Sequence, residues 1–359
     1  MKSDIVEIDG SVLEGGGQIL RTSLALSALT GKPIRIFNIR AKRSNPGLQA
    51  QHLTGVKAIA ELCNAKVEGA YKGSMELLFI PGKIRSGKFR FDIGTAGSVS
   101  LVIQAILPVL IFAPDVVEVD ITGGTDVRWS PPIDYVRHVM LPILSKMGVN
   151  AELKVFRRGH YPRGGGHVKL VVYPTEKLNP IIDTDLGNVV EIRGRSHCVK
   201  LPKHVAERQA KSAEEYLKRS GITSKIDIEL EFYPPEKDPH LGPGSGIVLW
   251  ALTDKGQIIG ADALGEKGKP AEEVGREAAS KLVEELKSGK AFDSHMADML
   301  IPYIALADGY SKIGISKLTL HTITNIYIVE KILNIKFKVQ GEQDKPAIVE
   351  VDGIRFRRS

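Results

Sequence analysis

Apolar residues recur along this chain at spacings of three and four in some stretches and at alternate positions in others. Helices and strands can be placed from that pattern. One strong helical stretch is 325–333, where Ile326, Val329, Ile332 and Leu333 share a face. A strand-like run over 314–320 precedes it and delivers His321 to the helix start, with Thr322 or Thr324 as the expected N-cap.

The order of elements repeats. In the first unit Glu14-Gly15-Gly16-Gly17-Gln18 opens a helix over 19–29, followed by a strand over 34–39. A second helix (about 48–63) and two short strands (66–68 and 76–81) complete it. The second unit opens at Gly94-Thr95-Ala96-Gly97-Ser98, with a helix over 99–111 and a strand over 116–121. A helix at about 135–147 and strands over 151–156 and 167–173 follow. The third opens at Asp293-Ser294-His295-Met296-Ala297-Asp298, with a helix to about 306 and a strand over 317–320. The helix over 325–333 and strands over 335–339 and 347–351 close it.

An additional segment, 185–288, separates the second and third units. It carries strands over 189–193, 225–232, 246–253 and 258–264, and helices over 205–218 and 270–286, the latter with Pro270 at its first position. The expected fold class is α+β: three βαβαββ repeats, about 1–82, 88–175 and 289–353, each a sheet with helices on one face. Arranged around a pseudo-three-fold, 1–184 plus 289–359 would form one catalytic body, and 185–288 an inserted smaller α/β domain. Such a centre gathers equivalent loops from three repeats into one composite site.

Composition narrows the setting. The 359 residues are 43% hydrophobic and 25% charged, as in an ordinary globular protein. The longest apolar run, 101–114, is too short to span a bilayer, and Met1-Lys2-Ser3-Asp4 does not begin a signal peptide, so a cytoplasmic protein without a membrane partner is expected. Cys63 and Cys198 stand alone, which argues against a disulfide framework and a zinc site. A net charge of +7 favours a polyanionic partner, nucleic acid first. Basic residues concentrate at 35–43 and in Arg157-Arg158-Gly159-His160-Tyr161-Pro162-Arg163.

Candidate chemistry lies mostly at the starts and ends of the repeats. An imidazole at a helix N-terminus is held neutral by the dipole, and a neutral imidazole can attack phosphorus. His321 is therefore either a nucleophile or a plain strand-capping residue. The Glu14 to Gln18 loop is either a phosphate cradle or a structural turn, with Gln18 and Arg21 on one helix face. Arg40 and Arg43 are phosphate clamps or a solvated basic loop. Gln104, inside an apolar helix, is a satisfied core amide or a nucleotide contact. His295 and Asp298 share a face at i and i+3, and two ligands do not make a metal site. They suit hydrogen bonding toward His321 or a nucleotide. Asn325, one turn after His321, is placed to orient that ring or a ligand.

Taken together these residues resemble the RNA 3'-terminal phosphate cyclases, in their catalytic branch, over essentially the whole chain. The resemblance rests on Asp9-Gly10 with Glu14 to Arg21; Arg40 to Arg43 with Pro46-Gly47-Leu48-Gln49-Ala50-Gln51-His52; and Gly94 to Ser98 with Gln104. It rests also on Gly123-Gly124-Thr125-Asp126, Tyr161-Pro162-Arg163 with its three glycines, the run 202–208, and His321-Thr322-Ile323-Thr324-Asn325-Ile326. It implies repeats like the C-terminal domain of translation initiation factor three. It implies ATP-dependent closure of an RNA 3'-phosphate end to a 2',3'-cyclic phosphate, through AMP bound covalently to His321. By the same resemblance ATP would meet Gln104, His295, Met296, Ala297, Asp298 and Met299. Glu14, Gln18, Arg21, Arg40, Arg43, Gln51 and Asn325 would surround the phosphates and RNA end, with Glu14 toward a divalent metal, Mg2+ or Mn2+. Met299 stands where the family typically has Gln, which puts the amide contact there in question. A homo-oligomer is compatible with this reading.

Two other readings use the same fold. A noncatalytic cyclase-like RNA-binding protein of ribosome biogenesis would lack the histidine that is present here. An enolpyruvyl-transferase-like enzyme would form no covalent nucleotide and would not need His321.

Overall fold

The computed structural model describes residues 5–358. The first unit runs β1 (Val6–Asp9), α1 (Gly17–Thr30), β2 (Ile34–Phe37), α2 (Ala50–Leu62), β3 (Lys66–Glu68) and β4 (Leu77–Ile80). Its sheet has the order β1-β2-β4-β3, with β1 and β2 parallel and the other pairs antiparallel. The second runs β5 (Gly87–Asp92), α3 (Val99–Leu110), β6 (Val117–Gly123), a broken helix, β7 (Asn150–Arg157) and β8 (Gly166–Tyr173). The broken helix comprises α4 (Ile133–Tyr135), a π turn (Val136–Met140) and α5 (Leu141–Lys146), where one continuous helix over 135–147 was expected. The order β5-β6-β8-β7 repeats the first sheet's pattern of directions.

A two-residue strand, β9 (Ile182–Asp183), precedes the segment 185–288, expected from the sequence to be an insertion. That segment runs β10 (Val189–Val199), α6 (His204–Arg219), β11 (Lys225–Glu231), β12 (Gly244–Thr253), β13 (Ile258–Leu264) and α7 (Ala271–Lys287). Its sheet, β11-β10-β12-β13, packs against α6 and α7 around its own apolar cluster. Pro270 is the N-cap of α7, one position earlier than expected. The chain ends with α8 (Ser294–Leu306), β14 (Tyr310–Ile315), α9 (Leu320–Leu333), β15 (Lys338–Gln340) and β16 (Ala347–Asp352). β9 pairs parallel with β14, giving a third sheet of order β15-β16-β14-β9. The architecture is thus α+β, with several small mixed sheets.

The three sheets outside the inserted segment share one apolar core, and the helices lie within it. α1 is buried on nearly every side, including Gln18, Thr22, Ser23 and Ser27. It packs against α9, α3 and α2, while α8 packs against α9. A helix surrounded by other helices cannot be strongly amphipathic, so its polar residues must find partners inside. That requirement shapes the site. No helix among the described residues is long and apolar enough to cross a membrane.

Candidate active site

His321 is the second residue of α9, not the end of a strand: β14 stops at Ile315, and a short turn leads to the helix. The cap is Thr319, one turn ahead of the expected threonines, and its hydroxyl accepts from the Thr322 N–H at 3.1 Å. Thr322 and Thr324 are instead inside the helix, with the Thr324 hydroxyl donating to the Leu320 carbonyl. The His321 side chain is 54% exposed, and its Nδ1 lies 3.9 Å from Glu14 Oε2. Its pKa is held below the ordinary imidazole value, first by desolvation and then by the charges of Arg21, Arg43 and His295, while Asp298 opposes the shift. The neutral ring expected from the helix dipole is thus favoured mainly by burial and cationic neighbours.

Glu14 is delivered by the glycine loop. Its backbone N–H donates to Thr324 Oγ1 at 3.3 Å, joining the start of α1 to α9. Its Oε1 is ion-paired with Arg43, and the Arg43 guanidinium also donates to the Glu14 carbonyl at 3.1 Å. Oε2 is buried without a hydrogen-bond partner among the described residues. The glycines permit this crowding: a Cβ on Gly16 would fall 2.1 Å from the Glu14 carboxylate, and one on Gly17 2.4 Å from His52 Nε2. His52 lies below the loop. Its Nδ1 accepts from the Gln49 N–H at 3.2 Å, and burial, with Arg21 and Arg40, pushes its pKa down to about 3.

The floor is made by α1, α3, α8 and α9. Gln18, Arg21, Thr22, Gln104, Met299, Tyr303 and Asn325 are among the residues lining a cavity of about 30 Å3. Gln104 Nε2 and the Tyr303 hydroxyl are both buried there without partners among the described residues. Arg21 is desolvated enough to fall to about 10, with Asp298 opposing the shift. Burial raises the Asp298 carboxyl, which His321, His295, Gln18 and Arg21 counter. Asn325 does not hold the His321 ring. Its Oδ1 accepts from Thr22 at 2.5 Å and its amide donates to the Asp298 carbonyl at 2.7 Å, tying α9 to α1 and α8.

The remaining sequence-derived candidates stand farther out. Arg40 has a left-handed backbone, φ +53°, and donates to the carbonyls of Asn45 (2.5 Å) and Gly47 (3.0 Å), bracing its own loop. Gln51 accepts from the Ser98 N–H at 3.1 Å, linking the first unit to the cap of α3. Met296 and Ala297 are fully buried in the core. His295 is exposed, packs edge-on to Tyr135 and lies 4.0 Å from Asp262 of β13, so it faces the inserted segment. Sequence reading placed His52 in the family-like run 46–52 without a role, and passed over Tyr303. The Gln49–His52 capping box at α2 and a lone tyrosine in the apolar face of α8 were the available signals.

This constellation juxtaposes a neutral-leaning imidazole, an under-partnered carboxylate, two guanidiniums and a polar-lined cavity. It suits attack on a phosphorus centre with anions gathered around it. Residues 12–339 match the family model described as RNA 3'-terminal phosphate cyclase. The chain is similar to an RNA 3'-terminal phosphate cyclase of Ignicoccus hospitalis, 56% identical over 99% of this chain and 100% of that one. Another, from Caldivirga maquilingensis, is 58% identical over 95% and 96% of the two chains. The solved enolpyruvyl transferase NikO of Streptomyces tendae aligns at 10% identity with a TM-score of 0.28, over 98% of this chain and 66% of that one. A likeness that low bears on neither fold nor function. By the family match and these full-length relatives, the chain belongs to the RNA 3'-terminal phosphate cyclase family.

Proposed function

We propose that this protein converts an RNA 3'-phosphate end into a 2',3'-cyclic phosphodiester at the expense of ATP, with His321 as the nucleophile. The observation that supports this most is the half-exposed His321 ring, depressed in pKa and set 3.9 Å from the Glu14 carboxylate. With Nδ1 toward Glu14, Nε2 is left to attack the α-phosphorus of ATP. The N–P bond forms as the bond to the β-phosphate oxygen breaks, and pyrophosphate leaves with that electron pair. The resulting imidazolium keeps its Nδ1 proton facing the carboxylate. An oxygen of the RNA 3'-phosphate then displaces the histidine from AMP. Finally the neighbouring 2'-hydroxyl attacks the activated phosphorus, losing its proton, and AMP departs.

Arg21 and Arg43 would hold the phosphates, with Gln18, Arg40, Gln51 and Asn325 supporting the pocket or its rim. The unpartnered amide of Gln104, with the first turn of α8 from His295 to Met299, would receive the nucleotide. The buried, unpartnered Oε2 of Glu14 fits a hard divalent cation, Mg2+ or Mn2+. Bound there, such an ion would act as a Lewis acid screening the triphosphate. We also read the three like-ordered sheets as βαβαββ repeats of the initiation-factor-three type about a pseudo-three-fold, forming a catalytic body from 1–184 and 289–359. In this reading 185–288 is an inserted domain and the protein works in the cytoplasm.

The test is incubation with α-labelled ATP and a divalent metal. The expected result is an acid-labile protein–AMP adduct, lowered about 10^4-fold or more in His321→Ala. An adduct that persists in that variant removes His321 from the mechanism. RNA binding without any adduct in the wild type points to a noncatalytic relative.

A further inference from the structure

A second cluster of metal-ligating groups lies where the second unit meets the inserted segment. Asp126 follows β6, His160 follows β7, and His197 lies on β10. Their relative exposures are 2%, 7% and 0%. One ligating atom from each lies within 4.8 Å of the others. His160 Nε2 is 3.0 Å from His197 Nε2, which is 3.9 Å from Asp126 Oδ1. The Gly244 backbone closes over the His160 ring so tightly that a Cβ there would fall 2.0 Å from a ring carbon. Both Nδ1 atoms are buried without partners, so no neighbour among the described residues fixes either tautomer from its far side.

The ring spacing and the local charge both accommodate a metal ion. Two imidazoles bound to one tetrahedral ion have nitrogens about 3.4 Å apart, given bonds of about 2.1 Å. The present 3.0 Å separation therefore needs only a few tenths of an ångström of movement. Charge points the same way. The largely buried carboxylates of Asp126, Asp134 and Glu231 are set against the guanidiniums of Arg158 and Arg195. Three negative groups against two positive ones leave a net negative charge that a bound cation would offset.

We propose that Asp126, His160 and His197 bind a borderline divalent transition ion, of the Zn2+ class, that fastens the inserted segment to the body of the protein. Two imidazoles and one carboxylate select such an ion over Mg2+, which prefers oxygen ligands. The burial of all three makes the role structural. The site is separate from the Glu14 carboxylate and does not depend on the proposed reaction.

The full-length chain is unfolded in chelator, refolded with Zn2+, with Co2+ or with chelator alone, and desalted. Bound metal is measured by elemental mass spectrometry, Co2+ geometry by visible absorption, and stability by thermal unfolding. One Zn2+ or Co2+ per chain should survive desalting, with tetrahedral Co2+ bands, and metal-free protein should unfold at least about 5 °C lower. Asp126→Asn and His160→Asn should retain no metal, while Glu14→Gln retains its full complement. Wild-type protein that keeps no metal and unfolds at the same temperature after every treatment overturns the proposal, leaving the rings as a hydrogen-bonded pair. That measurement decides the matter even where a variant fails to fold.

Discussion

The bowl around His321 and the seam around Arg158 are both clusters of charge in a largely apolar protein, and they treat charge in opposite ways. At the seam, Arg158 is bonded to Glu231 through two nitrogens (2.8 and 2.7 Å), to Asp126 (3.2 and 3.3 Å) and to Asp134 (2.5 Å). Those carboxylates push its pKa well above the ordinary arginine value despite complete burial. In the bowl, Arg21 is desolvated down to about 10, and Glu14 Oε2, Gln104 Nε2 and the Tyr303 hydroxyl lack partners among the described residues. A buried cation fully surrounded by carboxylates serves architecture, because it has nothing left to offer a ligand. Desolvated groups without partners retain their full interaction energy for whatever arrives.

Breaking each cluster should therefore register in different measurements. The largest effect is expected at the seam. Arg158→Met leaves Asp126, Asp134 and Glu231 facing one another without their shared cation, and stability should fall by about 3–5 kcal/mol. Urea unfolding measures this, and a loss within about 1 kcal/mol of zero would show that the carboxylates are compensated by other means. In the bowl, Glu14→Gln is nearly isosteric and should lower AMP-adduct formation by about 10^2-fold. The same substitution should move the urea midpoint little, because it relieves a buried, half-partnered carboxylate. Equal adduct rates in wild type and variant would mean that the negative charge near Nδ1 has no part in the chemistry.

Much of the bowl was legible in the sequence because its parts lie in short, locally patterned stretches. The spacing of Ile326, Val329, Ile332 and Leu333 placed α9, and Glu14 to Gln18 marked the start of α1. The error at His321 was one of boundary. Thr322 or Thr324 was expected as the cap, but Thr319 wins because its hydroxyl reaches an N–H three residues ahead, within the first helical turn. Asn325 was expected to orient the ring or a ligand since it lies one turn away; its partners Thr22 and Asp298 come from helices that only the packed fold brings near.

The seam was invisible for a related reason. His160 and His197 are 37 residues apart, one in the turn after β7 and the other on β10, and Cys-based reasoning about zinc could not register them. Strands β1 and β5 escaped too. β1 is four residues long, and each is held by parallel pairing to a strand beyond an intervening helix, so local periodicity carries little of their stability.

The smallest effect sharpens the bowl's electrostatics. Attack needs neutral His321, so single-turnover adduct formation should fall as pH drops through the pKa of that ring, which lies below the ordinary 6.5. Asp298 favours the protonated ring, while Arg21, Arg43 and His295 disfavour it. Asp298→Asn should therefore shift the acid limb to lower pH, and Arg43→Gln should shift it to higher pH. The Asp298 shift should be modest, because burial raises that carboxyl and it acts on His321 only where it is ionised. Adduct formation at saturating ATP across the acid range separates the cases. A limb that moves upward in Asp298→Asn would mean that the carboxylate acts through the bound nucleotide, and that burial and the arginines alone set the state of the ring.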